Sequence, residues 1–273
     1  MEAGGDAGAG NRDVLRGDGR VKEKRRKVLI VTVAGMSSRF SKSLGYPCLK
    51  CLYSEGGIEK TLLYRMLHQE GKFDYYLVVG GFKFEELQAA VREYFGEFGE
   101  RLHLIDNKHY QDYGSGYSLY LALKEIEHMD VDEVVFAEGD LYVDRESFKE
   151  IVDCPKDVVT CCREAIWADK AVAFYLDEHY GIHYLYDTAH HALEVHQPFL
   201  GIFNSGQIWK FTGKERVCRT MKSISENRWQ GTNLVFIQEY FGLLGRGEYE
   251  VVTFRKWLNC NTCFDYRKIG DDG

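Results

Sequence analysis

Proline is nearly absent from this chain, with three residues in 273. Long apolar runs are missing too. The longest strongly apolar stretch is Val28–Ala34, far short of the roughly twenty residues a helix needs to cross a bilayer. No apolar segment follows the early charges, so no secretory signal is expected. The eight cysteines (48, 51, 154, 161, 162, 218, 260 and 263) therefore read as reduced thiols of a cytoplasmic protein. A basic excess is lacking as well. The net charge of −7 provides no global positive field for nucleic acid. No Gly-x-Gly-x-x-Gly, no Gly-Lys-Ser/Thr and no His-Glu-x-x-His occurs, which removes the plainest dinucleotide, P-loop and zinc-protease readings.

What is present is globular: 45% hydrophobic and 28% charged residues, enough for one full core. Residues 1–26 carry glycines without apolar periodicity and end in Lys22-Glu-Lys-Arg-Arg-Lys27. Through Lys27 this stretch holds eight Lys/Arg and five Asp/Glu, a balance of +3, leaving −10 on the rest. A flexible tail over 1–26 and a single domain over 27–273 are expected. The basic run could meet an anionic surface, although such runs commonly lead into a strand.

From Lys27 the pattern alternates between buried strands and helices. Strands are expected over Val28–Ala34, Tyr75–Val79, Leu102–Ile105, Val134–Ala137, Val158–Cys162, Ala171–Leu176 and Tyr249–Phe254. A loop is expected over Gly35–Gly45. Helices are expected over Thr61–Gln69, Phe84–Phe98, Ser118–His128 and Val235–Leu244. The first half is βαβ-like and the second completes a mixed sheet.

Four pieces carry chemistry. Ala34-Gly-Met-Ser-Ser-Arg39 follows a buried strand; a glycine and small hydroxyls let backbone N–H groups approach phosphate oxygens, and Arg39 adds fixed charge. Lys50 stands between apolar residues, a costly place for an ammonium unless it meets an anion. Glu138-Gly-Asp140 ends a strand, where open α/β sheets collect ligands, and a carboxylate there suits Mg²⁺. Asn259-Cys-Asn261 could offer an amide oxygen to a metal, or merely form Asx turns.

In this order, the four pieces resemble the nucleotidyltransferases of the sugar-phosphate and choline-phosphate type. The match to the bacterial CTP:phosphocholine and phosphonate cytidylyltransferases is closer. Asn107-Lys-His-Tyr110…Tyr113…Tyr117-Ser-Leu-Tyr120 is similar to their Asn-x-x-Tyr…Tyr-Ser-Leu-Tyr stretch, Gly80-Gly-Phe-Lys83 to their Gly-Tyr-x-Lys, and Asp265-Tyr-Arg-Lys268 to their C-terminal helix. The resemblance spans 27–269, strongest in 27–145. It departs where Leu49 replaces the proline before the lysine, and where Ser37 and Ser38 stand in the loop. It also departs where Asn261 replaces the late aspartate, and where Gly114-Ser115 replace paired asparagines.

The resemblance implies a Rossmann-like (GT-A-like) nucleotidyltransferase fold with a mixed, mostly parallel sheet. It implies transfer of CMP from CTP to phosphocholine, phosphoethanolamine or 2-aminoethylphosphonate with release of pyrophosphate. Arg39 and Lys50 would be catalytic. Ala34, Gly35, Met36, Ser37, Ser38, Gly80, Asn107 and Ser118 would hold the nucleotide. Asp140 and Asn261 would hold Mg²⁺. Glu164, Trp167 and Tyr175 would receive the ammonium group by charge and cation–π contact. The partners implied are CTP and the small phosphate or phosphonate, with no nucleic acid and no membrane span, and a homodimer is left open. The rival readings are a sugar-1-phosphate nucleotidyltransferase, a metal-dependent glycosyltransferase and a silent nucleotide-binding module. Two Cys-x-x-Cys pairs, at 48/51 and 260/263, add a zinc or redox reading, weighed below coincidence because more than two hundred residues separate them.

Overall fold

The computed structural model describes residues 25–168, 172–186 and 192–270. Nearly all of the expected tail, and the His190-His191 pair, lie outside these. Where the basic run is described it folds back on the body. Arg25 and Lys27 pair with Glu133, and Arg26 with Asp130.

Eleven strands are described: β1 (Lys27–Thr32), β2 (Tyr75–Gly80), β3 (Leu102–Asp106), β4 (Glu133–Glu138), β5 (Leu141–Val143), β6 (Asp157–Cys162), β7 (Ala173–Asp177), β8 (Ile182–Leu185), β9 (Phe199–Phe211), β10 (Tyr249–Thr253) and β11 (Trp257–Asn259). The eight helices are α1 (Ser38–Leu44), α2 (Leu62–Leu67), α3 (Phe84–Tyr94), α4 (Ser115–His128), α5 (Arg145–Asp153), α6 (Lys214–Ser223), α7 (Leu234–Phe241) and α8 (Cys263–Arg267). The main sheet runs β10-β6-β9-β4-β1-β2-β3. β1 pairs parallel with both β2 and β4, β2 with β3, and β6 with β10; β9 alone on this path runs antiparallel to its neighbours. The sheet is therefore mixed and mostly parallel.

Both faces of this sheet are covered, which explains the unbroken β-branched run of β1. Val28 and Ile30 pack with α4, α6 and α7 on one side. Leu29 and Val31 pack with α2, α3 and α5 on the other. A third, smaller cluster joins α1 to α8 through Phe40, Leu62, Cys260, Cys263, Tyr266 and Ile269.

Two of the expected segments take another form. The loop expected over Gly35–Gly45 turns at Ser37, in left-handed backbone with φ of 53°, into helix α1. The buried Phe40 and the partnership with α8 supply what a short segment with five polar residues lacks alone. The single helix expected over Phe84–Phe98 ends at Tyr94, and a separate 3₁₀ segment begins at Gly96. Gly99 in left-handed backbone turns the chain so that Phe95 and Phe98 reach the core from outside the helix.

Candidate functional site

β1 lies at the point where the strand order reverses, with β2 on one side and β4 on the other, and such points in open α/β sheets leave a crevice at the carboxyl strand ends. Here it is a cleft of about 240 Å³, lined by Thr32–Gly35 and Ser37 at and after the end of β1, by Glu138–Asp140 at the end of β4, by Lys50 and Cys51, and by residues before and at the start of α4. Gly139 makes the two strand ends meet. Its N–H donates to the Thr32 carbonyl at 3.0 Å, and a Cβ there would lie 2.3 Å from the Val33 side chain.

Lys50 is aimed by its neighbours. Leu49 and Cys51 are buried among β1 and α2 residues, which turns the lysine between them the other way. Leu49 thus fills with apolar volume the position where the resembling enzymes carry proline. The Lys50 backbone N–H donates to the Ser37 hydroxyl at 3.3 Å. Its Nζ donates to Asp140 Oδ2 at 2.8 Å across the cleft floor, with both side chains less than a quarter exposed. Two elements ninety residues apart are joined by this pair.

Glu138, one turn of chain from Asp140, receives a hydrogen bond from Asn233 Nδ2 at 2.8 Å. Burial, reinforced by the charge of Asp140, raises its carboxyl to about 7, against the opposing pull of Asn233 and Lys50. Asp140 Oδ1 and Asn259 Oδ1 are buried with no hydrogen-bond partner. They belong to neighbouring strand ends. β11 pairs with β5, Asn259 opposite Leu141, and the next N–H, that of Cys260, donates to the Asp140 carbonyl at 2.8 Å. Two orphaned hard oxygens, one of them a carboxylate, fit Mg²⁺, which takes a few protein oxygens and completes its shell with phosphates and water. Among the described residues no group of three or more His, Cys, Asp or Glu could hold a metal by itself.

A second cleft, about 490 Å³, opens beyond the β5–β11 ribbon. Arg39, Glu164, Trp167 and Asn261 line it, with Asn204, Gln207, Trp257, Asn259, Asp265 and Lys268 completing much of the wall. Gln207 holds a left-handed φ of 56° inside β9, where the strand bulges against β6. Strained backbone of this kind concentrates at functional sites.

The residues singled out from sequence thus divide between two clefts. Ala34, Gly35, Ser37, Lys50, Asn107, Ser118 and Asp140 line the first; Arg39, Glu164, Trp167 and Asn261 line the second. Met36, Ser38, Gly80 and Tyr175 line neither. A Cβ on Gly80 would meet Leu87 and Phe84 of α3, so that glycine serves close packing of helix on strand. The Tyr175 ring stacks on His183, 4.9 Å between centroids, and its hydroxyl accepts from Gln197. The Asn107 amide donates to Ser118 Oγ at 2.9 Å and accepts from the His109 N–H, which shapes the wall from within.

Sequence reasoning named Glu138 beside Asp140 without giving it a role, and it gave none to Tyr110 and Tyr113, which also line the first cleft. It also missed Asn204 and Gln207. The tyrosines were visible within the Asn-x-x-Tyr stretch; nothing local marks Gln207, whose place depends on a bulge. The Cys-x-x-Cys pairs dissolve into packing. Cys51 joins the core under β1, and Cys260 and Cys263 the cluster under α1 and α8, with Cys48 at its edge. Burial pushes the Cys51 and Cys260 thiols up to about 12, away from the thiolate that metal binding needs.

A mostly parallel, double-sided sheet with this crevice is the Rossmann-like fold of the nucleotidyltransferases. The CTP:phosphocholine cytidylyltransferase of Streptococcus pneumoniae superposes with a TM-score of 0.60 at 15% identity, over 89% of this chain and 97% of that one. The inositol-1-phosphate CTP transferase of T. maritima gives 0.63 at 16%, over 91% and 98%. A Bacillus anthracis protein proposed as a glucose-1-phosphate thymidylyltransferase gives 0.62 at 13%, over 89% and 93%. By sequence the chain belongs to the family described as a domain of unknown function (DUF6564), whose model matches residues 46–272. No curated protein matches it. The three structures differ in substrate and are equally similar, so the likeness reaches the fold and not the choline-phosphate branch. Among the described residues no helix is long and apolar enough to cross a membrane.

Proposed function

We propose that this chain is a nucleotidyltransferase that transfers CMP from CTP to a small phosphorylated or phosphonate amino alcohol and releases pyrophosphate. The observation that carries the reading is the Lys50–Asp140 pair on the floor of the first cleft, under the Gly35–Ser37 loop. The first cleft would take the nucleotide and the second the acceptor, with the β5–β11 ribbon between them.

No covalent intermediate is needed. The acceptor's phosphoryl oxygen is already ionised and attacks the α-phosphorus in line with the departing pyrophosphate. Repulsion between the two anions is the obstacle. Lys50 places an ammonium against it, and backbone N–H groups of the Gly35–Ser37 turn face the phosphates. Arg39, from the second cleft, brings a guanidinium to the side where the acceptor enters. Asp140 and Asn259, with Asn261 on the acceptor side, would hold Mg²⁺, which neutralises phosphate charge and polarises the α-phosphate when bound. Tyr110 and Tyr113 offer flat faces to the base. Preference for CTP rests on the resemblance of the 107–120 stretch.

A second reading, a sugar-1-phosphate acceptor, is favoured by the second cleft itself. Tyr175 is absent from it, which leaves the ammonium cage to Trp167, Trp257 and Glu164. Four carboxamides line it instead, and amides donate to and accept from hydroxyls. The test is pyrophosphate release over four nucleoside triphosphates and a panel of amino-alcohol phosphates, phosphonates and sugar 1-phosphates with Mg²⁺. CTP is expected to exceed UTP in kcat/KM by about 10²-fold, the cost of leaving a base-reading group unpaired. Equal or higher kcat/KM for UTP moves the protein to the sugar branch, and no release with any pair rejects the transferase reading.

A further inference from the structure

The loop that precedes α7 reaches across the first cleft without lining it. The Gln230 and Gly231 carbonyls accept from the Gly114 and Gly116 N–H groups at 2.7 and 2.9 Å, which fastens the start of α4. The approach is so close that a Cβ on Gly114 would lie 2.3 Å from the Gly231 carbonyl oxygen. Gly114 therefore stands where a larger residue would push the two apart. Two residues beyond Gly231, Asn233 is almost fully buried. Its backbone N–H donates to Ser115 Oγ at 3.1 Å, and its side-chain Nδ2 donates to Glu138 Oε1 at 2.8 Å. One residue thus ties the helix start on one wall to the strand end that carries Asp140 on the other.

We propose that Asn233 is the positioning residue of the nucleotide cleft, fixing the distance between its α4 wall and its β4 wall and keeping Glu138 off the Lys50–Asp140 pair. The inference rests on the nucleotidyltransferase reading. Without the Asn233 donor, Glu138 is a second carboxylate two residues from Asp140 and free to compete for Lys50, the nearest cation on the cleft floor. Asn233 contacts nothing in the second cleft, so its loss separates the two substrates.

Asn233→Leu keeps the branched outline and removes the donor facing Glu138. A buried hydrogen bond is lost, so the KM for the nucleotide, and its dissociation constant read from thermal stabilisation without acceptor, should rise about tenfold or more. The KM for whichever acceptor supports turnover should stay within about twofold, a split that general loosening of the fold would not produce. Asn233→Asp with Glu138→Gln restores a donor–acceptor pair in the reverse sense and should recover most of the loss. Unchanged nucleotide parameters, an equal rise in both KM values, or no recovery in the double variant overturns the proposal. Should Asn233→Leu fail to fold, Ser115→Ala at the exposed helix start removes the other tie. It should raise the nucleotide KM about threefold, the weight of one neutral hydrogen bond, and no rise overturns the proposal. A wild type that no nucleotide stabilises, and that releases no pyrophosphate, overturns the transferase reading and this inference together. A wild type that passes both while the variants match it overturns this inference alone.

Discussion

Lys50 shows how much of a site one side chain can carry. Its charge is offset by a single carboxylate, and both sit where a nucleotide's phosphates would arrive. Lys50→Ala should leave the fold intact, because the apolar anchors are Leu49 and Cys51, and should lower turnover by about 10²–10³. Retention of half the wild-type rate in a pyrophosphate assay would remove it from the chemistry. Asp140→Asn keeps the shape, yet it removes the partner of Lys50 and the charge of the proposed metal site. Activity should be lost at ordinary Mg²⁺, and a variant with unchanged rate and Mg²⁺ dependence would place the metal ligand elsewhere. Both residues were legible in the sequence, since a lysine among apolar residues and an acid at a strand end advertise an electrostatic purpose. Gln207 and Asn233 were not. Gln207 depends on a bulge against a strand about fifty positions earlier, and Asn233 on a loop contact that joins residues about a hundred positions apart.

At the scale of elements, local pattern is legible in the sequence and dependence on distant partners is not. β1, β2 and β4 were legible because burial on both faces writes an unbroken apolar run. α1 was not, because its one buried residue, Phe40, meets a partner more than two hundred positions away. β9 was also missed. Its interior carries Gly201, Asn204 and Gly206, which break the alternation, and Gly206 is required because a Cβ there would meet the Phe254 ring and Thr160. α5 is tied to the turn before β11 through its N-cap. Asp144 accepts from Ser147 N–H as the helix cap and from Arg255 and Lys256 N–H at the turn leading into β11. Burial opposes its charge, yet the Lys256, Ser147 and Arg255 donors hold the carboxyl below the ordinary aspartate range. Asp144→Ala should cost about 1–3 kcal/mol by urea unfolding at pH 7. A depressed folded-state value means the contribution is complete above the unfolded value, about 3.9, and fades as pH falls through the folded one. The gap between wild type and variant should therefore be constant from pH 7 to 5 and narrow only below about 4. A gap that shrinks between pH 7 and 5 would rule out the carboxylate as its source.

For the molecule as a whole, the cysteines offer a check on the fold and on the reading that it needs no metal staple. Cys51, Cys260 and Cys263 are buried in two separate apolar clusters. Cys48→Ser with Cys263→Ser should retain activity, since a serine at 263 can donate to the Ser43 carbonyl that the thiol already faces. Elemental analysis of the purified protein should find no stoichiometric zinc. About one zinc per chain, lost in the double variant together with activity, would replace packing by coordination as the reason for the four thiols.

The β5–β11 ribbon sets an order of events as the protein is made. β5 leaves the ribosome just after β4, whose carboxyl end lines the first cleft with that of β1. Its partner β11 spans Trp257–Asn259, more than a hundred residues later. The wall of the second cleft that carries Trp257, Asn259 and Asn261 therefore comes into being late. A chain interrupted before Trp257 leaves β5 without its partner and the second cleft without that wall.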